Sequence, residues 1–308
     1  SWLQARAYRQ ELLVLAGFVA LSLLLTFPLG FVFPTHVVQP AEDPQLNTWI
    51  LAWDAQALLH HPAQLFNSNT FYPYPYTLAY SEHLFSSAIL ALPLQLLLNN
   101  PTAVYGILTQ ITFVLSAYAA YLFGRHLSGS RAAGFIAGVI FAFCPYKLAQ
   151  IHHFQNLSTQ WMPLAFLALD QAIRKGRRRD MALCGVFVLL QVLASVYYAL
   201  FLVVGLVLYA VPLLVLSRRL GWQILARRLA GLGVAGAGAA LLALPFFLPY
   251  AGVADVMGGG RSLSYVTQLS PDALSYLAAP ASSLIYGRLT EAWRTVPEGS
   301  LLPGLVAV

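Results

Sequence analysis

Apolar runs of about 20 residues recur along this chain, and they constrain its fold more than any other feature. A helix of that length crosses the roughly 30 Å of hydrocarbon in a bilayer. The chain is 59% hydrophobic and 9% charged, whereas soluble domains carry about 25% charged residues. The runs are continuous rather than alternating, which excludes a membrane β-barrel. The sequence therefore predicts an all-α polytopic membrane protein with spans at residues 12–33, 102–124, 132–149, 159–174, 181–197, 199–217 and 229–250.

The basic residues form four groups along the chain, and these groups predict its orientation. They are Arg6 with Arg9, Arg125 with Arg131, Arg174 through Arg179, and Arg218 through Arg228. Short cytoplasmic loops of membrane proteins carry an excess of Lys and Arg, so all four groups and the N-terminus are expected in the cytoplasm. This assignment requires that the short apolar segment 84–98 enters the membrane without crossing it. It then places 13 of 17 Lys and Arg residues inside and 8 of 11 carboxylates outside.

The chain carries no Lys or Arg between Arg9 and Arg125. Most of this stretch lacks a run long enough to cross the membrane, so it predicts a large first external loop at residues 34–101. Within the loop, residues 45–60 have apolar side chains at helical spacing. They predict an amphipathic helix that lies at the membrane interface, with Asp54 on its polar face.

Two further external loops are expected at residues 150–158 and 251–300. In the second, three consecutive glycines precede Arg261. Exposed backbone N–H groups beside a guanidinium suit an anion such as phosphate, and a flexible linker is the alternative interpretation. With another span starting near residue 301, we expect a single transmembrane domain over residues 1–308 that is a fragment of a longer protein.

The acidic residues of the first external loop are candidates for chemistry. Glu42 and Asp43 follow the first span by about ten residues. A carboxylate there is able to act as general base on an acceptor hydroxyl or to hold a divalent cation, whereas a solvated pair of loop residues is the alternative. Glu82 and His83 come directly before the segment 84–98, where an acidic side chain also favours a helix N-terminus.

A second polar group lies where the third predicted span ends. It contains Lys147, His152, His153 and Gln155. Polar groups at that depth are costly unless they face a cavity or each other. Either histidine is suited to ligate a metal or to donate a hydrogen bond to phosphate, and histidines bonded to backbone are the alternative. Lys147 is also long enough to reach the surface from within the span.

Several short motifs follow one another in the first half of the chain: Glu42-Asp43, Asn67–Pro73 (NSNTFYP), Tyr80–Leu84 (YSEHL) and Asn99–Pro101 (NNP). Their order resembles the GT-C superfamily of integral membrane glycosyltransferases, and the resemblance extends over nearly the whole chain. Three later stretches resemble a group of bacterial multi-spanning proteins of this type. They are Pro145–Leu157, Trp161–Leu164 and Arg261–Pro280.

The resemblance implies a GT-C-like transmembrane bundle in the bacterial plasma membrane, with its active site outside the cytoplasm. The implied reaction is an inverting transfer of a sugar from a polyprenyl-phosphate donor to a glycan, lipid or protein acceptor. Asp43 occupies the position of the catalytic base or metal ligand, and Glu42 is expected to assist it. A divalent cation, Mg²⁺ or Mn²⁺, is the candidate cofactor, with Asp43, Glu82 and His152 as candidate ligands. The residues expected to bind substrate or the departing phosphate are His152, His153, Gln155, Lys147, Arg261, Glu82 and His83.

Two other functional classes stay open, and neither involves nucleic acid. One is a transporter or flippase for lipid-linked sugars, and the other is a non-catalytic protein that binds them. Transporters place ionisable residues near the middle of the bilayer, in broken or repeated helices. In this chain the ionisable residues lie at the ends of the predicted spans and no internal repeat is evident. The pattern therefore favours an enzyme.

Overall fold

A computed structural model describes residues 2–38, 42–254, 262–281, 283, 286–296 and 299–302 of the chain, without the side chains of residues 2–7 and 269. These residues form helices and loops, and no strand occurs among them. The first seven α-helices are α1 (Trp2–Leu25), α2 (Leu29–Val32), α3 (Glu42–His60), α4 (Phe85–Leu98), α5 (Pro101–Ser128), α6 (Arg131–Phe143) and α7 (Pro145–Ala149). The others are α8 (Phe154–Leu157), α9 (Trp161–Lys175), α10 (Arg178–Val192), α11 (Val196–Leu216), α12 (Trp222–Val253) and α13 (Leu263–Leu269). Single 3-10 turns lie at Pro62–Gln64, Thr77–Tyr80, Arg218–Leu220, Ala273–Leu277 and Glu291–Trp293.

Five helical stretches in the described part of the chain are long and apolar enough to cross a membrane, which confirms the all-α membrane class. They are Tyr8–Leu25, Pro101–Ser128, Arg131–Ala149, Val196–Leu216 and Trp222–Val253. The two remaining predicted spans correspond to α9 and α10, of 15 residues each. An ideal helix of that length is about 22 Å long, less than the hydrocarbon thickness. Segment 84–98 is the short helix α4, and its predicted non-crossing path stays a prediction.

Helix α5 lies at the centre of the fold, where it contacts α1, α3, α4, α6 and α9. Its close pairing with α6 depends on small residues. A Cβ at Gly134 would lie 2.7 Å from the carbonyl oxygen of Tyr121, and one at Gly138 would lie 2.6 Å from that of Ala117. Small residues at such positions allow helices in membranes to approach closely. The α5–α6 hairpin turns at Gly129, whose φ of 70° suits glycine.

The two ends of α5 differ in their charge. At the C-terminal end Arg125 and Arg131 both bond Glu11 of α1. Near the N-terminal end the Tyr105 ring packs against Phe154, with centroids 5.6 Å apart. Tyr105 and Arg125 are separated by 20 residues, which is about 30 Å along a helix. The basic cluster and the segment that carries the paired histidines therefore lie at opposite ends of one helix, separated by roughly the hydrocarbon thickness of a bilayer.

Helix α3 corrects one prediction. It covers the predicted helical stretch, but Asp54 is 0% exposed and does not lie on a polar face. Asp54 follows Ile50 and Leu51 by four and three residues, so it shares their face, and this face packs against α4 and α5. Trp53 donates its Nε1–H to the carbonyl of Leu65 at 2.8 Å, which ties the helix to the protein. Because α3 has apolar residues on most of its sides, the pattern alone did not identify the buried face.

Candidate functional site

The candidate site joins the start of α3 to the segment between α7 and α8. Oδ2 of Asp43 lies 3.0 Å from Nε2 of His153, although the two residues are 110 positions apart. Asp43 belongs to the first turn of α3, where the helix dipole favours a carboxylate. Its side chain is 41% exposed and that of His153 is 14% exposed. The pair is therefore preorganised by protein contacts, while the carboxylate stays accessible.

The second ring nitrogen of His153 is held as well. Nδ1 lies 2.7 Å from Oε1 of Gln150, and the same oxygen accepts a hydrogen bond from Nδ2 of Asn156 at 2.9 Å. If the Gln150 amide were flipped, its NH2 group would face the NH2 group of Asn156, and two donors would then meet without an acceptor. The orientation of the Gln150 amide is therefore coupled to that of Asn156. Both nitrogens of His153 consequently face acceptor oxygens. The ring is therefore held between the Asp43 carboxylate on one side and the Gln150 amide on the other.

A third contact fastens the same two segments one helical turn further along α3. Nδ2 of Asn47 donates to Oε1 of Gln155 at 3.3 Å. Asn47 is buried, and it follows Asp43 by four residues, so both lie on one face of α3. The predicted site residues Asp43, His153 and Gln155 are thus brought together, with Asn47, Gln150 and Asn156 as their immediate partners.

An apolar groove opens near this pair. It has a volume of about 810 Å³ and is lined by the end of α1, by α2 and by the neighbourhood of α7. Val38 and Ile151 are part of the lining, and they precede Asp43 and His153 by five and two residues. The groove therefore lies beside the segments that carry the polar pair. Such an arrangement suits a ligand with a polar head and a hydrocarbon tail.

Glu82 and His83 occupy a separate, more buried environment at the start of α4. Burial raises the pKa of Glu82 to about 7, against the opposing effect of the nearby Ser195 hydroxyl and Val196 N–H. Burial lowers the pKa of His83 to about 4, so this imidazole is neutral at pH 7. Nδ1 of His83 accepts the N–H of Phe85 at 3.1 Å, which makes it a local cap of α4. The described residues show no contact between this pair and Asp43.

Lys147 has a structural position. Its side chain is buried, and Nζ donates to Oγ of Ser116 at 3.2 Å, to the carbonyl of Leu157 at 2.8 Å and to Oγ1 of Thr159 at 2.6 Å. All three N–H groups of the ammonium are thereby used within the protein. The contacts tie α5 and α7 to the segment after α8, directly behind the histidines.

The other predicted site residues are less constrained. Glu42 is exposed at the first position of α3. The ring of His152 lies against that of His153, with centroids 4.0 Å apart. Arg261 lies outside the described residues. Among the residues that are described, no group of three or more His, Cys, Asp or Glu side chains is placed to hold a metal ion. The candidate set Asp43, Glu82 and His152 does not form such a group.

Sequence reasoning did not identify Asn47, Gln150 or Asn156 as partners of the pair. The only available signal for Asn47 was a polar residue four positions after Asp43 on the same helix face. For Gln150 and Asn156 the signal was their place in the polar segment that contains the histidines. Their roles depend on contacts across more than 100 residues or within an irregular turn, which residue spacing does not reveal.

A family model described as a domain of unknown function (DUF6311) matches residues 14–293, which is most of the chain. The protein belongs to the DUF6311 family. The match includes both Asp43 and His153, and so both halves of the candidate site lie within the family domain. No curated protein and no solved structure matches this DUF6311 chain.

Proposed function

We propose that this DUF6311 protein is an inverting membrane glycosyltransferase of the GT-C type, which uses a polyprenyl-phosphate sugar as donor. The observation that carries the proposal is the 3.0 Å contact between Asp43 and His153. It supplies an accessible carboxylate held by a histidine, and Ile151, two residues before that histidine, lines the apolar groove. The site lies at the end of α5 opposite the basic cluster, and by the positive-inside rule this supports a proposed position outside the cytoplasm, in a bacterial plasma membrane.

Asp43 is the proposed general base. As the acceptor hydroxyl attacks C1 of the sugar, its proton passes to Asp43 and the bond between C1 and the phosphate oxygen breaks. The polyprenyl phosphate leaves with the electron pair of that bond. Attack opposite to the leaving group inverts the configuration at C1. General bases of this kind contribute about 10²–10⁴-fold to the rate.

His153 is the proposed positioning residue for Asp43. Its contact with Gln150 fixes the ring, and the ring fixes one carboxylate oxygen. His152 and Arg261 remain the proposed donors to the departing phosphate, whose negative charge increases in the transition state.

The groove of about 810 Å³ is the proposed site of the first isoprenoid units of the donor. Because the tail comes from the bilayer and not from water, van der Waals packing against the groove is the favourable contribution. The polar head would then meet Asp43 and His153, while the remaining tail extends into the bilayer.

The test is the Asp43→Asn variant, assayed in membranes with polyprenyl-phosphate hexoses that are labelled in the sugar. We expect transfer to fall by about 10²–10⁴-fold with donor binding retained. Glu291→Gln is the matched control, since Glu291 is an exposed carboxylate whose nearest cation is Arg294 at 3.7 Å. An Asp43→Asn variant that transfers sugar at the wild-type rate would remove Asp43 from the chemistry. Donor binding by the wild type without any transfer would instead indicate a non-catalytic binding protein.

A further inference from the structure

A cluster of buried polar side chains without hydrogen-bond partners lies at the junction of three segments of the fold. The segments are residues 82–87 at the start of α4, residues 158–161 at the start of α9, and residues 191–196 between α10 and α11. Nine side-chain oxygen and nitrogen atoms in these segments have no hydrogen-bond partner among the described residues. They belong to Glu82, His83, Ser86, Gln160, Trp161, Gln191 and Ser195.

Three hydrogen bonds hold the segments together. The N–H of Ser86 donates to the carbonyl of Leu193 at 3.0 Å. Nε2 of Gln191 donates to the carbonyl of Ser158 at 2.8 Å, and the hydroxyls of Ser158 and Ser87 lie 3.3 Å apart. The unpartnered groups therefore share one tightly fastened junction rather than separate loops.

The unpartnered state of these groups is costly, and it is concentrated in one place. Native proteins leave only a few buried polar groups unsatisfied in each 100 residues, and each such group costs about 1–3 kcal/mol. Gln160 is 1% exposed, and both ends of its amide lack a partner. Ser195 is the N-cap residue of α11, where a serine hydroxyl ordinarily accepts a backbone N–H. Its hydroxyl makes no such bond and lies beside the Glu82 carboxyl instead.

The chemistry of the groups favours an uncharged ligand with many hydroxyls. The Gln160 amide offers both a donor and an acceptor, Gln191 offers the acceptor Oε1, and each serine hydroxyl is able to donate and accept. Trp161 adds an indole N–H, and its partly exposed ring stacks on Phe187 with centroids 6.3 Å apart. The Glu82 carboxyl is a hydrogen-bond donor and acceptor while it is protonated, and once it ionises it opposes an anion. Hydroxyl groups of a pyranose match this mixture of donors, acceptors and an aromatic ring.

We infer that the junction of α4, α9 and α11 is the subsite that binds the sugar ring of the donor, with Gln160, Gln191 and Ser195 as its specificity-determining residues. The inference deepens the proposed function and rests on it. Gln160 follows His153 by seven residues, which include the single turn of α8, so the subsite belongs to the same segment as the positioning histidine.

The test measures binding separately from transfer. The protein is placed in lipid nanodiscs, because glycoside detergents would compete. Methyl glucopyranoside, galactopyranoside, mannopyranoside and N-acetylglucosaminide are titrated by saturation-transfer NMR, with inorganic phosphate as a separate probe. The Gln160→Leu variant removes two unpartnered atoms at nearly constant volume. Gln56→Leu is the matched control, because Gln56 is exposed on α3.

We expect at least one pyranoside to bind the wild type and the Gln56→Leu variant, and Gln160→Leu to bind it at least tenfold more weakly. The melting temperature of Gln160→Leu should equal or exceed that of the wild type, since the change removes a buried unsatisfied amide. A lower melting temperature with unchanged pyranoside binding would mean that the junction is only structural, bridged by water. Absence of pyranoside binding, or saturable phosphate binding that Gln160→Leu abolishes, would also overturn the inference.

Failure of the subsite and failure of the proposed function give different results. The Asp43→Asn variant should bind the pyranoside as the wild type does, because Asp43 is absent from the junction. If pyranoside binding depends on Gln160 but no donor supports transfer, the proposed function is wrong and the junction is a saccharide site in a protein without transferase activity. If transfer depends on Asp43 but is unaffected by Gln160→Leu, the subsite is wrong and the function stands.

Discussion

The Glu82→Gln variant should become progressively more stable than the wild type as the pH rises. In the fold, burial raises the pKa of Glu82 from 4.5 to about 7. The unfolded chain therefore loses its proton near pH 4.5, while the folded chain keeps it until about pH 7. Between these values the folded state binds more protons, so the contribution of Glu82 to stability falls as the pH rises. Below pH 4.5 both states are protonated and the penalty vanishes.

The magnitude follows from the two pKa values. At 1.36 kcal/mol for each pH unit, the penalty that Glu82 imposes increases by about 2.5 kcal/mol between pH 5 and pH 8. The side chain retains some exposure, and discounting for solvent reduces this to about 2 kcal/mol. For a protein of 308 residues, a change of that magnitude corresponds to about 3 °C in melting temperature. Glutamine keeps the shape and removes the ionisation, so this difference should separate the two proteins.

The assay is thermal unfolding followed by tryptophan fluorescence, for both proteins in the same nanodiscs at pH 5, 6, 7 and 8. The melting temperature of the variant minus that of the wild type is compared at each pH, so that titrations common to both proteins cancel. One of these is the titration of His83, whose lowered pKa makes the protein more stable as the pH rises, opposite to the effect of Glu82. Asp54, whose pKa burial also raises, cancels in the same way. A difference that is constant with pH, or that shrinks as the pH rises, would refute the buried, protonated state of Glu82. Glu291→Gln should show no pH-dependent difference.

Three further outcomes follow from the packing and the site. Lys147→Met should lower the free energy of unfolding by about 1–3 kcal/mol, because it removes the bonds to the Ser116 and Thr159 hydroxyls and leaves the Leu157 carbonyl with the Thr159 N–H as its strong donor; wild-type stability in denaturant titration would contradict this. Gly138→Val should lower the melting temperature, because the added side chain clashes with the Ala117 carbonyl. Gly233→Val should not, because a Cβ at that position would have no neighbouring atom within 4 Å. Equal effects of the two substitutions on the melting temperature would refute the close α5–α6 contact. His153→Asn should slow sugar transfer by about tenfold, through loss of carboxylate positioning, and should leave pyranoside binding unchanged; a parallel loss of binding would place His153 in the sugar subsite.

The helical architecture was predictable because apolar runs of span length leave few alternatives in lipid. Every predicted span is largely helical, although 12–33 and 132–149 each contain two helices and 181–197 extends beyond the end of α10. The acidic segment that follows the first span does meet the paired histidines. This meeting was expected because both segments were assigned to the same side of the membrane by the distribution of Arg and Lys. The orientation itself stays a prediction, although the basic residues gather at one end of α5.

Contacts that depend on the exact face of a helix or on an irregular turn were not predictable. Asp54 was expected on a polar face because acidic residues are rarely buried without a partner, yet it shares the face of Ile50. Lys147 was expected to reach a substrate or the surface, and it instead satisfies three groups inside the protein. The unpartnered amides at the start of α9 follow from the way that three distant segments pack, and residue spacing contains no signal for that.

The central claim is that Asp43 and His153 act together in sugar transfer, and a double-mutant cycle tests it most directly. Transfer rates are measured for the wild type, Asp43→Asn, His153→Asn and the double variant with one labelled polyprenyl-phosphate hexose. Because His153 acts only through Asp43, the double variant should be no slower than Asp43→Asn alone. The account would be contradicted if the fold-loss of transfer rate in the double variant equalled the product of the two single fold-losses. It would also be contradicted if the wild type transferred no sugar from any polyprenyl-phosphate hexose.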